Sequence, residues 1–478
     1  MNMSRLIVVI FIGLLFCVSS PLCAEVDIDY VKLNEANKPS AVQIWNATWG
    51  CSGKDMGMSL SVYEDYIYVV AYAEIFGTNG DTVILKYDLN GKLIWNISLE
   101  GTGPVFGRDI LVYNDYIYML GEKYANETYW DIYVAKLDLE GNKIWESTWG
   151  ERKLDHGYAL YAYDNSIYVV GSSENISAKI SDIVLIRFNS DGNIVWNTTW
   201  SGDGLDFGYD IFVYGNAIYV VGTTKKSENN DDIILLKYDL NSYLLWNVTW
   251  GGEHLEDGFG IHVYRGYIYV VGSTNEENEA GDVVLLKYDC DGNLIWTTTW
   301  GGVSSDIGRS IYVEKDCIYI TGETISFGAR IDDIFILKYD IEGNYIWNVT
   351  WGGANDDDPH GIVVNSGYIY IVGETYSFGA GDSDVFLIKF DNDDDGDGLG
   401  NHEEGIIGTD PNDPDTDNDG YSDWDEIVSN TDPLDPKDNP RSKLLKKLAI
   451  ILSLIIAITI VFVIYYKLIK PKKLSQQN

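Results

Sequence analysis

The fold is decided by the stretch at residues 44–50, which reads Ile-Trp-Asn-Ala-Thr-Trp-Gly, because near-copies of it recur along most of the chain. Their central tryptophans follow one another at intervals of 50, 50, 51, 50, 50 and 51 residues, at Trp45, Trp95, Trp145, Trp196, Trp246, Trp296 and Trp347. A fixed period of this size indicates a repeat architecture in which each copy is one supersecondary unit. Most of the 478 residues are therefore expected to form one scaffold.

Each repeat is predicted to hold four short strands, as the sixth copy illustrates. Its four apolar or alternating segments are residues 310–313, 317–322, 333–339 and 345–351, and glycine follows the last of them. Four strands in about 50 residues is the blade of a β-propeller. The sequence thus predicts an all-β fold, a seven-bladed β-propeller of four-stranded blades, over residues 42–390.

The first tryptophan strand precedes every other strand, and the last blade ends at Phe390 without one. Residues 42–49 are therefore predicted to supply the missing fourth strand of the last blade, which would close the ring. Trp45 and Trp49 are four residues apart and share one face of this strand. We expect them to fill the wedge between neighbouring blades, with an exposed aromatic platform for sugars as the alternative.

The formal charge of the chain is −40, and the excess is concentrated near the C-terminus. Residues 391–440 hold 18 acidic residues against one lysine, a net charge of −17. Nucleic acid is excluded as a partner, since phosphate backbones demand stripes of lysine and arginine. An acidic run that is not of low complexity points instead to hard cations.

Two stretches of this acidic segment match the pattern of a calcium loop, with acidic residues alternating around a glycine and a glutamate at the end. The predicted ligands are Asp393, Asp395, Asp397, the carbonyl of Leu399, Asn401 and Glu404 in the first loop, and Asp415, Asp417, Asp419, the carbonyl of Tyr421, Asp423 and Glu426 in the second. Asn401 replaces the usual acid, so a weaker first site is expected. The cofactor is predicted to be calcium, stiffening residues 391–440 into a stalk; a disordered acidic linker is the alternative.

Both ends of the chain carry membrane-related signals. Residues 1–24 are predicted to be a signal peptide, with Arg5 before an apolar stretch and cleavage after Ala24. Residues 448–466 carry no charge and are long enough to cross a bilayer as a transmembrane helix. Lysines flank both ends of this run, so the signal peptide decides the orientation. The body is predicted to be extracellular and residues 467–478 to be a cytoplasmic tail.

Three cysteines remain after the predicted cleavage, Cys51, Cys290 and Cys317, and an odd number implies no disulfide framework. Buried thiols are expected, with a bridge between Cys290 and Cys317 as the alternative. Seven glycosylation sequons occur in the predicted ectodomain, at Asn46, Asn96, Asn126, Asn175, Asn197, Asn247 and Asn348. Five of them follow a repeat tryptophan, which places that strand at the outer rim and permits a glycoprotein; the alternative is that asparagine simply suits an exposed edge.

Three resemblances to known families rest on particular residues of the chain. The segments at residues 299–302, 306–308, 311–313 and 318–322 resemble the bacterial and archaeal β-propeller repeat of many secreted surface proteins. Residues 391–438 resemble bacterial-type thrombospondin type 3 repeats, which implies calcium binding. The turn that holds Asp138, Gly141 and Trp145 faintly resembles the docking motif of quinoprotein dehydrogenases, which implies an alternative enzyme function.

Known catalytic motifs are absent from the sequence. The five histidines are scattered, and there is no HExxH, no nucleophile elbow and no P-loop. The expected function is therefore not enzymatic: a membrane-anchored cell-surface binding or adhesion protein with an extracellular protein or glycan ligand, bound through the divergent loops 124–129, 224–230 and 274–280. The alternatives are a surface enzyme, either a quinoprotein-like oxidoreductase or a carbohydrate lyase, and a passive spacer of the envelope.

Overall fold

The computed structural model describes residues 41–467, apart from gaps at 75–79, 100–103, 127–128, 151–152, 176–177, 203, 228–229, 276–280, 330 and 465. The predicted signal peptide, residues 1–24, lies outside the described residues, and so does the predicted cytoplasmic tail beyond residue 467.

Within the described ranges the chain forms strands up to residue 392 and helices after it. The strands are β1 (Ala41–Trp49), β2 (Asp55–Tyr63), β3 (Tyr66–Ala73), β4 (Asp81–Asp88), β5 (Leu93–Ser98), β6 (Val105–Tyr113), β7 (Tyr116–Asn126), β8 (Tyr129–Asp138), β9 (Lys143–Trp149), β10 (Leu154–Tyr163), β11 (Ser166–Asn175), β12 (Ile180–Asn189), β13 (Ile194–Trp200), β14 (Asp206–Tyr214), β15 (Ala217–Ser227), β16 (Asn230–Asp239), β17 (Leu244–Trp250), β18 (Leu255–Tyr264), β19 (Tyr267–Asn275), β20 (Asp282–Asp289), β21 (Leu294–Trp300), β22 (Asp306–Glu314), β23 (Cys317–Thr324), β24 (Asp333–Asp340), β25 (Tyr345–Trp351), β26 (Asp357–Asn365), β27 (Tyr368–Thr375) and β28 (Asp384–Asn392). The helices are α1 (Asn401–Ile407), α2 (Asp423–Ser429) and α3 (Pro440–Ile464).

The strands pair into five four-stranded sheets and one eight-stranded sheet. Consecutive strands pair antiparallel in each run of four, for example β2-β3-β4-β5. The eight-stranded sheet is made of two such runs, β14 to β17 and β18 to β21. A single parallel pairing, between Asp231 and Leu255, joins the two runs. The predicted all-β, propeller-like fold of four-stranded units is confirmed.

The first strands of successive runs lie next to one another. They contact in the order β2, β6, β10, β14, β18, β22, β26, and β26 in turn contacts β2. The apolar residues of the second and third strands are buried between neighbouring sheets, as Val69 and Leu85 illustrate. The inner strands therefore surround a central channel, as in other propellers.

The N-terminal strand completes the last sheet, whose order is β1-β28-β27-β26. Ala41 pairs with Asn392 and Trp49 pairs with Val385, with one irregularity between Gln43 and Trp45. This confirms the prediction that the first tryptophan strand supplies the missing fourth strand. The pairing also extends β28 two residues beyond the predicted end of the propeller, to Asn392.

The repeat tryptophans lie between neighbouring sheets, as predicted. Trp45 Nε1 donates to the carbonyl of Leu89 in the next sheet at 3.2 Å, and Trp246 Nε1 donates to that of Cys290 at 3.3 Å. Gly91, with a φ of +79°, lies against the Trp45 ring, where an added Cβ would come within 2.8 Å. The turn of one sheet is thus fitted to the tryptophan of the sheet before it.

Buried lysines on the third strands add a second link between sheets. Lys287 is 4% exposed and donates to the carbonyl of Ile341, in the turn of the next sheet, at 2.6 Å. Its ammonium lies over the rings of Tyr269 and Trp296, at 5.5 and 5.8 Å from their centroids. A lysine or arginine occupies the equivalent position in each run of four strands. In the sheet β22 to β25 this residue has a different acceptor, because β28 of the next sheet is not followed by such a turn.

His262 lies in the wall of the channel, within a row of aromatic rings. Its ring centroid is 4.7 Å from that of Phe212 and 4.9 Å from that of Tyr312. Burial lowers the pKa of His262 to about 3. Because the folded pKa lies below the unfolded value, its contribution to stability is complete above pH ~6.5 and is lost as the pH falls from there towards 3.

Replacing His262 with phenylalanine, the type of ring present at Phe212, should remove this pH dependence. Between pH 7.5 and 4.5 the wild type should lose about 2–3 kcal/mol more stability than the variant, from ~1.4 kcal/mol per pKa unit. Thermal unfolding of both proteins at the two pH values measures the difference. Equal losses would show that the histidine ionises freely in the folded state.

The C-terminal helix α3 is long and apolar enough to cross a membrane, and none of its side chains is buried. It begins at Pro440, earlier than the predicted span of 448–466, because Asn439 caps its first turn by accepting from the backbone N–H of Ser442 at 2.8 Å. Lys443 donates to the carbonyls of Ser429 and Asn430, each at 2.7 Å, and so joins α3 to the end of α2.

Among the described residues the three cysteines are free. Cys290 donates to the carbonyl of Gly266 at 3.0 Å, and Cys317 is half-buried. The thiols are free, so the alternative Cys290–Cys317 bridge is wrong for this structure, but all three are half-buried rather than buried as expected.

Candidate metal centre

The first acidic loop begins where β28 ends. The backbone N–H groups of Gly396 and Gly398 donate to the two carboxylate oxygens of Asp393, at 2.7 and 3.1 Å. Gly398 has a φ of +100°, which glycine adopts without strain. The loop thereby folds back on itself, so that oxygens of Asp393, Asp395 and Asp397 lie within 4.8 Å of one another.

The second acidic loop repeats this geometry. Asp419 and Gly420 donate their backbone N–H groups to the carboxylate of Asp415, at 3.1 and 2.8 Å. Gly420 has a φ of +95°, matching that of its counterpart. Oxygens of Asp415, Asp417 and Asp419 again lie within 4.8 Å of one another.

The last predicted ligand of each loop, Glu404 or Glu426, lies on a short helix that the sequence analysis did not predict. Helices α1 and α2 have seven residues each, too short to show a helical period. Both glutamates are fully buried, and none of their four carboxylate oxygens has a hydrogen-bond partner within the described part of the chain. A buried carboxylate without a partner is costly unless a cation or a proton compensates it.

The pKa values of the two glutamates reflect their burial among the other carboxylates of the loops. Burial, together with repulsion from Asp395, Asp397 and Asp393, raises the pKa of Glu404 to about 8. Burial, with the charges of Asp419 and Asp417, also raises the pKa of Glu426, to about 7. A hard cation that takes oxygen ligands would relieve both the burial and the repulsion, and the donor set fits calcium.

The side chains of Asn401 and Asp423 fasten their loops. Asn401 accepts from the backbone N–H of Asp394 at 2.9 Å, and its Nδ2 donates to the carboxylate of Asp394 at 2.7 Å. Asp423 accepts from the N–H and the hydroxyl of Thr416, at 3.1 and 2.7 Å. An amide suits position 401, because an acid there would repel Asp394 instead of donating to it.

The two loops pack against each other. The backbone N–H of Trp424, in α2, donates to Oδ2 of Asp397 in the first loop at 2.9 Å. The Trp424 ring lies against Gly398, where an added Cβ would be 3.4 Å from Cδ1 of the ring. The two loops are therefore joined by a hydrogen bond and a packing contact.

The first loop is also fastened to the propeller. Lys338 of β24 is 4% exposed, and its ammonium donates to Asp394 at 2.6 Å and to Asn392 at 3.2 Å. The backbone N–H of His402 donates to Asp391 at 3.1 Å, and the His402 ring lies 5.0 Å from that of Tyr368. In the preceding sheet the equivalent lysine reaches a turn, so the acidic loop takes the place of that turn here.

The predicted ligand-binding loops join the second and third strands of their sheets. Residues 127–128, 228–229 and 276–280 of these loops lie outside the described residues. Beside the loop at 224–230 is a small pocket lined by Leu205, Phe207, Tyr209, Thr223, Lys225, Asp231 and Asp257.

Comparisons with known proteins support both parts of the chain. The family model "Bacterial TSP3 repeat" matches residues 393–414 and 415–436. The model "Domain of unknown function (DUF5122) beta-propeller" matches residues 164–194. No curated protein matches the chain.

Solved structures that resemble the chain have low sequence identity to it. The polysaccharide lyase Uly1 is 13% identical with a TM-score of 0.46, over 70% of this chain and 90% of that one. The β-propeller domain of the Trilobed protease from Pyrococcus furiosus is 13% identical with a TM-score of 0.43, over 71% of this chain and 94% of that one. With the family matches, the strand pairing and the loop geometry, the chain is a β-propeller repeat protein that carries two bacterial-type thrombospondin type 3 repeats.

Proposed function

We propose that this chain is a calcium-dependent, membrane-anchored binding protein rather than an enzyme. A propeller presents a binding surface outside the cell, two calcium loops form a stiff stalk, and helix α3 crosses the membrane. The observation that carries the proposal is the burial of Glu404 and Glu426 with four unpartnered oxygens beside the clustered aspartates. Bound calcium would compensate the buried charges of these carboxylates, and so would stabilise the folded stalk.

The proposed ring has seven blades. In this interpretation the eight-stranded sheet is two blades joined by the single pairing of Asp231 with Leu255. The cycle of contacts among the seven inner strands supports this count. The N-terminal strand then belongs to the seventh blade, next to the first residue of the calcium segment.

The proposed orientation follows from the two ends of the chain. A signal peptide at residues 1–24 would export the body, so that α3 stops transfer and the tail stays inside. The sequon asparagines Asn46, Asn96, Asn197 and Asn247 are exposed on outermost strands, which supports glycosylation of an exported protein. The ligand is proposed to be an extracellular protein or glycan that contacts the loops joining second and third strands.

Calcium binding can be tested with terbium, which takes the same oxygen ligands and luminesces when a nearby tryptophan transfers energy to it. Trp424 lies against the first loop and is suitably placed. Replacing Glu404 or Glu426 with glutamine should weaken binding at least about tenfold, since each removes a buried charged ligand. Titration of the detergent-solubilised full chain with terbium, followed by displacement with calcium, measures both affinities.

Matched controls are the exposed neighbours of the two glutamates. Replacing Glu403 with glutamine or Asp425 with asparagine removes the same charge from the same helices but should leave terbium affinity within about twofold. If all four variants bind equally, the buried glutamates are not ligands and the proposed calcium stalk fails.

A further inference from the structure

A second group of carboxylates lies at one end of the channel, where the inner strands β22 and β26 begin; we call it the channel mouth and define it by Glu323, Asp332, Asp358 and Glu374. Asp358 of β26 pairs in register with Glu374 of β27, so their side chains lie opposite each other. Glu323 of the preceding sheet lies within hydrogen-bond distance of Asp358, a contact that two carboxyl groups make only by sharing a proton. Like charges directly opposite on adjacent strands are destabilising, so this arrangement needs compensation.

The positive groups around the channel mouth compensate only part of this charge. Arg309 Nη2 lies 2.7 Å from Oε1 of Glu323. Lys54 lies over the ring of Tyr376, 5.5 Å from its centroid. A hydrogen bond to Tyr376, together with the charges of Glu374 and Asp358, raises the pKa of Lys54. Burial, together with the charges of Glu323 and Glu374, raises the pKa of Asp358 to about 7.

The side chain of Glu374 is the strongest evidence that a ligand binds here. It is 8% exposed, and its Oε2 is buried without a hydrogen-bond partner among the described residues. Glu122 occupies the equivalent position in the second sheet, one residue after a glycine of the second strand. There, both oxygens are paired, with Arg108 at 3.0 Å and with His156 at 3.1 Å.

The geometry favours a cation larger than a metal ion. Within the described part of the chain, the groups of three carboxylates whose oxygens approach within 4.8 Å are those of the two calcium loops. The carboxylates of the channel mouth are spread more widely, and the ring of Phe259 lies 4.9 Å from the guanidinium carbon of Arg309, the residue that pairs with Glu323. An ammonium or guanidinium group satisfies carboxylates several ångströms apart and is attracted to aromatic faces.

We propose that the channel mouth binds an organic cation, whose primary ammonium or guanidinium group is held by Glu374 and Asp358 beside Glu323. This deepens the proposed binding function by naming the chemistry of a ligand, and it does not depend on the calcium loops. The group belongs either to a free polyamine or to a basic side chain of a protein partner. In both cases the carboxylate Oε2 of Glu374 gains the partner that its counterpart Glu122 already has.

The test is isothermal titration calorimetry of the full chain in detergent, with calcium present and at 0.15 M salt. Spermidine represents the free polyamine, and a tetra-arginine peptide represents the basic side chains. Replacing Glu374 with glutamine or Asp358 with asparagine should weaken the binding of at least one probe by about tenfold or more. Both changes remove repulsion without changing shape, and thermal unfolding verifies that the variants remain folded.

The control is Glu342, replaced with glutamine. It is exposed in the turn after β24, at the strand end remote from the channel mouth, and its loss changes the net charge equally. Tighter binding of spermidine identifies a small ligand, and tighter binding of the peptide identifies a protein partner. Absence of binding, an equal effect of the Glu342 change, or stoichiometric displacement of spermidine by magnesium would overturn the proposal. None of these outcomes alters the terbium result, so the two proposals fail separately.

Discussion

Replacing Trp45 with alanine is expected to lower the free energy of unfolding by about 3 kcal/mol. Trp45 lies on the strand that closes the ring, and it packs against the core formed by the last and first sheets. The substitution also removes the hydrogen bond that Trp45 Nε1 donates to the carbonyl of Leu89. Large-to-small changes of buried aromatic residues cost about 3–5 kcal/mol, and Trp45 is only half-buried. Thermal or denaturant unfolding of the full chain measures the loss.

Asn46 provides the matched control, because it is exposed on the opposite face of the same strand. Its replacement with alanine should change stability by less than about 0.5 kcal/mol. Deleting residues 41–49 should have a still larger effect than Trp45→Ala, since the whole pairing with β28 is lost. A deletion variant that unfolds at the same temperature as the full chain would show that the strand does not close the ring.

Removing calcium is expected to destabilise the propeller as well as the stalk. The first loop is fastened to β24 and β28 through Lys338, Asp394 and Asp391. Calcium at a hundredfold excess over its Kd should therefore add about 2.7 kcal/mol per occupied site to the stability of the joined unit. Calorimetry of the full chain in calcium and in chelator measures this difference as a shift of the propeller transition.

Replacing Lys338 with methionine should abolish most of that calcium-dependent shift, because it breaks the buried link to Asp394. Lys287 is the matched control, since it occupies the same position one sheet earlier and donates to a backbone carbonyl. Its replacement with methionine should destabilise the propeller but leave the calcium-dependent shift intact. Equal shifts in the two variants would mean that calcium acts on the stalk alone.

The repeated features of the fold were predictable from the sequence. The period of the tryptophan stretch predicts the four-stranded units, and the count of strands at each end predicts the pairing of β1 with β28. The role of Trp45 between sheets follows from its two-residue alternation with exposed neighbours. These predictions succeed because the same sequence pattern occurs in every repeat, so each repeat gives independent support for the same local structure.

Features that occur once were harder to predict. Lys338 looks like six other basic residues, yet it binds an acidic loop instead of a turn. The sequence does carry a sign of this difference. No turn and tryptophan strand follow Phe390, so Lys338 lacks the turn carbonyl that other basic residues at this position use and needs another acceptor. Asn401 is a predicted calcium ligand, and its amide also fastens Asp394 by a contact between residues seven apart, which the pattern of the calcium loop does not show. Glu122 is paired with Arg108 of its own sheet and with His156 of the next one, whereas in the last sheet, which holds Glu374, the position equivalent to Arg108 is His360. The first difference can be read from aligned repeats, but the pairing across sheets cannot.

The measurement that most directly tests the central claim is hydrogen–deuterium exchange of the full chain in detergent, with calcium and with chelator. The account predicts that calcium slows exchange in α1, in α2 and in the segment from Tyr368 to Asp394, where the first loop meets the last sheet. Exchange in the sheet β10 to β13, which makes no such contact, should not change. Identical exchange of α1 and α2 in both conditions would contradict a calcium-ordered link between the propeller and helix α3.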